Sequence, residues 1–357
     1  MSHDFSGTKP VSERHAFDTE RLALYLRDAI EGFPRDPAAL EVEQFKGGQS
    51  NPTYLLRAGG QRYVLRRKPP GKLLASAHAV DREYRVITAL RDSEVPVAET
   101  YCLCEKSEVI GTAFYVMQYV EGRILWDPTM PGLANDERAA IYEEMNRVIA
   151  ALHRVDYRAL GLESFGKPGN YFARQIDRWS RQYRASETET IEAMDRLIDW
   201  LPAHIPPGDE TTIVHGDYRL DNLIFHPTEP RLCAVLDWEL STLGHPLGDF
   251  AYHCMAWHIP AGLFRGVRGA DLAALAIPSE RAYVERYCRK TGHDPIDREH
   301  WDFYMAYNLF RLAAILQGIM GRVKDGTAAS AQAKAMGQAA RPVGELGWQQ
   351  VEAIAKR

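Results

Sequence analysis

The sequence predicts an α+β fold in two lobes: a small antiparallel sheet over about residues 1–120, then a mainly helical part over 121–357. Three observations carry this. Up to Val120, short alternating runs are separated by Gly and Pro turns, the pattern of hairpin strands. From Trp126 onward, apolar residues recur with helical spacing. Within the helical part, one pair of short apolar runs, Ile213–Phe225 and Ala234–Glu239, encloses polar groups that a plain core strand would not tolerate.

The elements follow in order. Residues 1–16 read as a loose tail. Asp18 starts a helix whose apolar side is Leu22, Leu24, Leu26 and Ile30, and Pro34 ends it. Leu40–Phe45 alternates like a strand, Lys46-Gly-Gly-Gln-Ser-Asn-Pro52 turns, and Thr53–Arg57 returns. Gly59-Gly60 turns again before Gln61–Arg66, so three antiparallel strands stand in a row. Pro69-Pro70-Gly71 breaks the chain before a helix over about Ala75–Arg91, with Val80, Tyr84, Ile87 and Leu90 on one side. Tyr101–Cys104 and Thr112–Val120 complete the sheet.

In the helical part, Asn135–Val155 carries the stripe Ile141, Met145, Val148, Ile149 and Leu152 and reads as a central helix. Asn170–Ser186 is amphipathic, with Tyr171, Arg174 and Arg178 on neighbouring turns, an aromatic and basic side suited to an anionic small molecule. Further helices are expected over Ile191–Leu201, from Gly248-Asp249 to Trp257, and over 279–290, 298–320 and 328–356.

The chemistry concentrates in the polar pair. His215, Asp217 and Asn222 have the spacing H-x-D-x-x-x-x-N, and Asp237 follows fifteen residues later at the end of the next apolar run. That is the residue set for phosphoryl transfer: one carboxylate to accept a hydroxyl proton, and an Asn and a second Asp to hold magnesium. ATP brings several negative charges, so Mg²⁺ is required, and Mg²⁺ takes one or two hard protein oxygens and keeps waters. Asn222 and Asp237 supply them, with Glu239 reaching the metal directly or through water. Asp217 stays off the metal to orient the attacking hydroxyl. Arg219 places a cation near the transferring phosphate.

With His215-Gly-Asp217, Asn222, Leu236-Asp-Trp-Glu239 and Gly244-His-Pro-Leu-Gly-Asp249, the sequence resembles the aminoglycoside phosphotransferase and choline kinase superfamily. The closer resemblance is to the phosphotransferase domain associated with acyl-CoA dehydrogenases, through Tyr63–Gly71, Ala77–Tyr84 and Asn170–Trp179. It covers about Phe45 to Ile315 and implies a protein-kinase-like fold, ATP and Mg²⁺ as cofactors, and a functional link to an acyl-CoA dehydrogenase. It also implies that Asp249 braces the catalytic loop through backbone N–H groups. Many aminoglycoside-modifying members have a small residue where this chain has Arg219.

That template assigns the remaining site. Gly48, Ser50 and Asn51, in the first hairpin turn, cover the β- and γ-phosphates. Val64 and Arg66 occupy the places of the alanine and lysine in V-A-I-K; either Arg66 or Arg67 reaches the phosphates. Glu83 is the carboxylate expected to pair with that cation, with Asp81 the competing candidate. Met117 and the backbone of Gln118 to Val120 lie where the hinge meets adenine.

Composition bounds the rest. With 45% hydrophobic and 25% charged residues and a net charge of −5, the chain is an ordinary globular protein, poorly suited to nucleic acid or a membrane surface. No apolar run approaches transmembrane length, and Met1–Phe5 has no secretory character. Five scattered cysteines read as reduced thiols, so a cytoplasmic location is expected. A protein kinase is disfavoured because Leu240 to Gly244 leaves little room for an activation loop. A non-catalytic nucleotide-binding module is disfavoured because Asp217, Asn222 and Asp237 are all retained. The acceptor is a small-molecule hydroxyl. The resemblance points to a hydroxyacyl-CoA, while an aminoglycoside, an amino alcohol and a sugar stay open.

Overall fold

The computed structural model describes residues 7–36, 39–46, 51–69, 79–326 and 333–356. The chain divides into two compact units. Unit 1 is Met1–Arg123 with Leu223–Pro227 and Leu232–Ser241; unit 2 is Ile124–Asn222, Thr228–Arg231 and Thr242–Arg357.

In chain order the elements begin with β1 (Thr8–Pro10), α1 (Thr19–Ala29), β2 (Glu41–Phe45), β3 (Thr53–Ala58) and β4 (Gln61–Arg67). They continue with α2 (Val80–Leu90), β5 (Thr100–Cys104), α3 (Ser107–Ile110), β6 (Phe114–Gln118) and β7 (Arg123–Ile124). Next come α4 (Asn135–Arg154), α5 (Tyr171–Ala185), α6 (Glu192–Trp200), β8 (Thr212–Val214), β9 (Leu223–Phe225) and β10 (Leu232–Val235). The chain closes with β11 (Thr242–Gly244), α7 (Pro246–Cys254), α8 (Glu280–Thr291), α9 (Arg298–Lys324), α10 (Ala333–Gln338) and α11 (Ala340–Ala355).

Unit 1 is built on a six-stranded sheet in the order β1-β2-β3-β4-β6-β5, every pairing antiparallel. The Asp18 carboxylate caps α1, accepting from the Arg21 amide at 2.9 Å. Leu22, Leu26 and Ile30 pack against Tyr54, Leu56, Leu65 and Phe114. Leu24, expected on that face, is 42% exposed, because two residues of helix turn it some 200° from Leu22. On α2 the buried stripe is Val80, Glu83, Val86, Ile87 and Leu90, so an acidic residue lies on the core face. The β9–β10 hairpin is also part of this unit. Gly122 is needed there, since a Cβ would lie 2.2 Å from the Phe225 carbonyl oxygen.

In unit 2, α9 is apolar on nearly every side and buried continuously from Trp301 to Ala314, which marks it as a core helix. Helices α5, α7 and α11 pack on it, and α4 packs with α8. A two-stranded pairing of β8 with β11 leads into the polar loop after Val214. The residues after Asp249 continue as α7 and a 3₁₀ turn, Met255–Trp257. No helix among the described residues is long and apolar enough to cross a membrane. All five cysteines are free thiols.

Candidate active site

The predicted site residues form two clusters, one in each unit. In unit 1, alternation along β4 sends Arg66 and Arg67 to opposite faces of the sheet. Arg67 is buried and donates to the carbonyls of Ile110 (3.2 Å) and His15 (3.1 Å), with its guanidinium over the Phe17 ring. It is committed to the fold. Arg66 reaches the other side. Its Nε lies 2.9 Å from Glu83 Oε2, and its Nη2 lies 2.6 Å from Asp237 Oδ1 and 3.6 Å from Glu239 Oε2. The open choice between Glu83 and Asp81 therefore falls to Glu83, while Asp81 faces Lys68 at 3.6 Å.

Glu83 is almost wholly buried and also accepts from Asn51 Nδ2 (2.8 Å) and from the Tyr115 hydroxyl (3.2 Å). Burial, followed in size by the opposing pull of Arg66 and the push of Asp237, leaves its carboxyl above the usual range. Burial works against the charge of Arg66, but Glu83 and Asp237 outweigh it and hold the guanidinium firmly protonated. Three carboxylates thus face one guanidinium. The excess negative charge suits a divalent cation, and Asp237 and Glu239 are its partly exposed members. Among the described residues, no group of three His, Cys, Asp or Glu side chains is set to hold a metal alone.

Asp237 sits at φ 63°, in the left-handed region, a conformation Asp tolerates better than most residues. The turn is pinned by buried Trp238, whose indole N–H donates to the Val235 carbonyl at 3.0 Å. Met117 is buried on β6. The Gln118 amide is already spent on the Glu99 carbonyl at 2.8 Å, so of the expected hinge contacts this N–H is engaged within the sheet. Val120 follows the end of β6. Gly48 and Ser50 lie outside the described residues.

In unit 2, the loop after β8 is held from behind by Asp249, in the first turn of α7. The amides of His215 and Gly216 donate to its Oδ2 and Oδ1, each at 2.8 Å, and His153 Nε2 lies 3.2 Å from Oδ2. Burial opposes ionisation of Asp249, yet His153 and the loop amides outweigh it and hold the carboxyl below its usual range. Gly216, at φ 83°, makes the turn that throws Asp217 forward. Arg311, from α9, donates to the Gly216 carbonyl at 2.5 Å.

The Asp217 carboxylate is held by two hydrogen-bond donors and an ion pair. The Tyr252 hydroxyl donates to Oδ1 at 2.6 Å, Arg219 Nε lies 3.1 Å from the same oxygen, and Asn222 Nδ2 donates to Oδ2 at 3.0 Å. Asn222 Nδ2 also donates to the Asp217 carbonyl at 2.9 Å. With its amino group so used, Asn222 offers only its amide oxygen to a cation. Burial and then Asp217 raise the Tyr252 hydroxyl well above its ordinary value, so it stays a donor. Such a carboxylate, partly exposed and fixed in one rotamer, can orient a hydroxyl group.

Tyr252, Tyr115 and Arg311 were not singled out from sequence. Tyr252 alone had a local signal: it lies one helical turn beyond Asp249. The face expected from Tyr171, Arg174 and Arg178 does not form. Tyr171 is buried against Gly244 and Gly248, where a Cβ would lie 2.6 Å and 3.2 Å from its ring. Arg174 donates to the carbonyls of Gly169 and Lys167. Arg178 is left exposed over the Trp179 ring.

A model of the phosphotransferase enzyme family matches residues 41–304. The chain belongs to that family. Among curated proteins, this phosphotransferase family member is 48% identical over 343 residues to mouse acyl-CoA dehydrogenase family member 10, covering 96% of the chain and 32% of the relative. It is 43% identical over 339 residues to the probable acyl-CoA dehydrogenase IBR3 of Arabidopsis thaliana, covering 90% of the chain and 41% of the relative. The chain therefore spans well under half the length of these relatives.

Among solved structures, a crystal structure from Ralstonia eutropha JMP134, provisionally named an aminoglycoside phosphotransferase, matches with 59% identity and a TM-score of 0.86. The match covers 95% of this chain and 99% of that one. The fold is also shared with the aminoglycoside phosphotransferase APH(4)-Ia, solved with ADP and hygromycin B, at TM-score 0.59 and 14% identity, covering 92% of this chain and 97% of that one. Plasmodium vivax ethanolamine kinase matches at TM-score 0.58 and 12% identity, covering 90% and 84%. The fold class is the protein-kinase-like α+β fold, and the family makes the chain a small-molecule phosphotransferase.

Proposed function

We propose that the chain moves the γ-phosphoryl group of ATP, with Mg²⁺, to a hydroxyl of a small molecule, and that the acceptor is a hydroxylated acyl-CoA. The observation that carries the reading is the Asp217 carboxylate, held by Tyr252, Asn222 and Arg219 on a loop braced by Asp249. Asp217 aligns the acceptor hydroxyl and takes its proton as the phosphoryl group transfers. Arg219 offsets charge developing on that group. Asn222 and Asp237 are the protein ligands of Mg²⁺, with Glu239 in support; when bound, the ion neutralises phosphate charge. Glu83 fixes Arg66 for the phosphates, Gly48 and Ser50 cover them, and Met117 to Val120 receive adenine; Asn51, expected in that cover, is buried and donates to Glu83 instead. The acyl-CoA acceptor, and a functional link to an acyl-CoA dehydrogenase, are supported by the names of the curated relatives, in which a region like this chain is part of a longer protein.

The test is ATP consumption across hydroxyacyl-CoAs, aminoglycosides, choline-like alcohols and sugars, with Asp217→Asn alongside. Turnover on a hydroxyacyl-CoA should fall about 10²–10⁴-fold in the variant while Mg²⁺–ATP binding persists. Equal loss of nucleotide affinity would show that Asp217 serves the nucleotide instead. Turnover confined to aminoglycosides would overturn the acceptor.

A further inference from the structure

Unit 2 contains a small cleft with about 60 Å³ of water-accessible space. Its walls are mainly apolar, with Trp126, Leu220, Met255, Trp257, Ile259 and Phe264 among them. Two further lining residues, Tyr252 and Arg219, are the ones whose polar atoms lie 2.6 Å and 3.1 Å from Asp217 Oδ1. The cleft therefore shares two of its walls with the side chains that hold the Asp217 carboxylate.

One wall is a short loop under backbone strain. Phe264 and Arg265 have φ of 35° and 60°, consecutive left-handed residues without glycine, a conformation that bulky side chains rarely adopt. The loop is pinned at its base, where Val267 donates to the Ala256 carbonyl at 2.7 Å and Arg268 to the Ile259 carbonyl at 3.0 Å. Gly266 permits that closure, since a Cβ would lie 2.0 Å from the Ile259 oxygen. The strain presents both side chains to the cleft. Arg265 Nη1 lies 3.0 Å from Asp221 Oδ2, an oxygen that Arg219 Nη2 also approaches at 3.3 Å. The Arg265 guanidinium stands over the rings of Trp126 and Phe264. Burial, and then Arg219, weaken its hold on its proton, against the pull of Asp221 and Asp217.

We infer that this cleft is the acceptor's specificity subsite: it takes an apolar arm on the carbon that bears the hydroxyl, and the 260–268 loop sets, through Phe264, how long that arm can be. The inference rests on the phosphotransfer reading for the role of Asp217, but not for the binding of the arm. Apolar walls select an alkyl substituent by area buried.

The experiment measures calorimetric binding of 2-butanol, 2-hexanol and 2-octanol to the full chain, and to Phe264→Ala and Phe264→Leu. Phe264 is half-buried, and folding of each variant is checked by circular dichroism. Affinity should rise about 4-fold per added methylene until the cleft is full. Phe264→Ala should move the plateau to a longer alcohol, and Phe264→Leu should move it less. A parallel series of hydroxyacyl-CoAs lengthened beyond the hydroxyl should show kcat/KM following the same plateau, with the KM for ATP constant. Binding that ignores chain length, or a plateau unmoved in a folded Phe264→Ala, overturns the subsite whether or not any acceptor is phosphorylated. Alcohols that bind as stated while no acceptor consumes ATP uphold the subsite and overturn the phosphotransfer reading.

Discussion

Replacing Asp249 by Asn is the most exacting perturbation, because shape is kept and only charge and one acceptor are lost. The two carboxylate oxygens each accept one loop amide at 2.8 Å, from His215 and Gly216. An Asn can present its oxygen to one of these donors, and its amino group must then confront the other. One charge-assisted hydrogen bond is lost, about 1.5–3 kcal/mol, and a buried N–H is left without an acceptor, about 1–3 kcal/mol more. The expected destabilisation is about 3–5 kcal/mol, a large part of a typical folding free energy. Because the carboxyl is held below its ordinary value, its contribution is present above the unfolded pKa, about 3.9, and is lost as pH falls through the lower folded value. Urea midpoints of the wild type should therefore fall with acid in that window, and those of Asp249→Asn should fall less. The loosened loop should also lower turnover by about 10²-fold, the cost of a small misplacement of a reacting group. A variant with wild-type midpoints at neutral pH, or with the same acid response, would refute the bracing argument.

Two further outcomes are expected. Asp237→Ala should weaken Mg²⁺-dependent nucleotide binding at least about 10-fold; titration calorimetry with and without Mg²⁺ checks this. Glu83→Gln should raise the KM for ATP and leave that for the acceptor unchanged, while Asp81→Asn, on a pair about a third to a half exposed, should alter neither.

The parts legible in the sequence are those whose contacts are local. Gly216, Asp217 and Asn222 lie within one loop, and that loop's hydrogen bonds run over two to five residues, so spacing alone conveyed the arrangement. The strand and helix order followed from turn residues and periodicity for the same reason. What stayed hidden depends on which face of an element meets which neighbour. Tyr252 reaches Asp217 across 35 residues and Arg311 reaches Gly216 across 95; the first is announced only by its place one helical turn beyond Asp249, the second by nothing local. The spacing of Tyr171, Arg174 and Arg178 does bring neighbouring turns together. The outcome there was decided by glycines more than seventy residues away, which admit the Tyr171 ring to the core.

The departure of Arg66 from the usual lysine becomes intelligible in the same terms. A lysine ammonium is a point charge on a flexible stem, whereas a guanidinium is a planar fork with donors aimed in several directions. Arg66 uses Nε toward Glu83 on α2 and Nη2 toward Asp237 on the turn after β10, so one side chain joins three elements of unit 1. An ammonium at the same strand position would keep the charge and lose the fixed angle separating the two partners. The buried Glu83 is then best seen as the anchor that sets the plane of the fork. Its hydrogen bonds from Asn51 and Tyr115 hold that plane, and the Nη2 edge is left facing the partly exposed carboxylates of Asp237 and Glu239. A cation whose direction is fixed by a buried anchor, with its reactive edge toward exposed acids, is suited to exchange a carboxylate for a phosphate without moving its base.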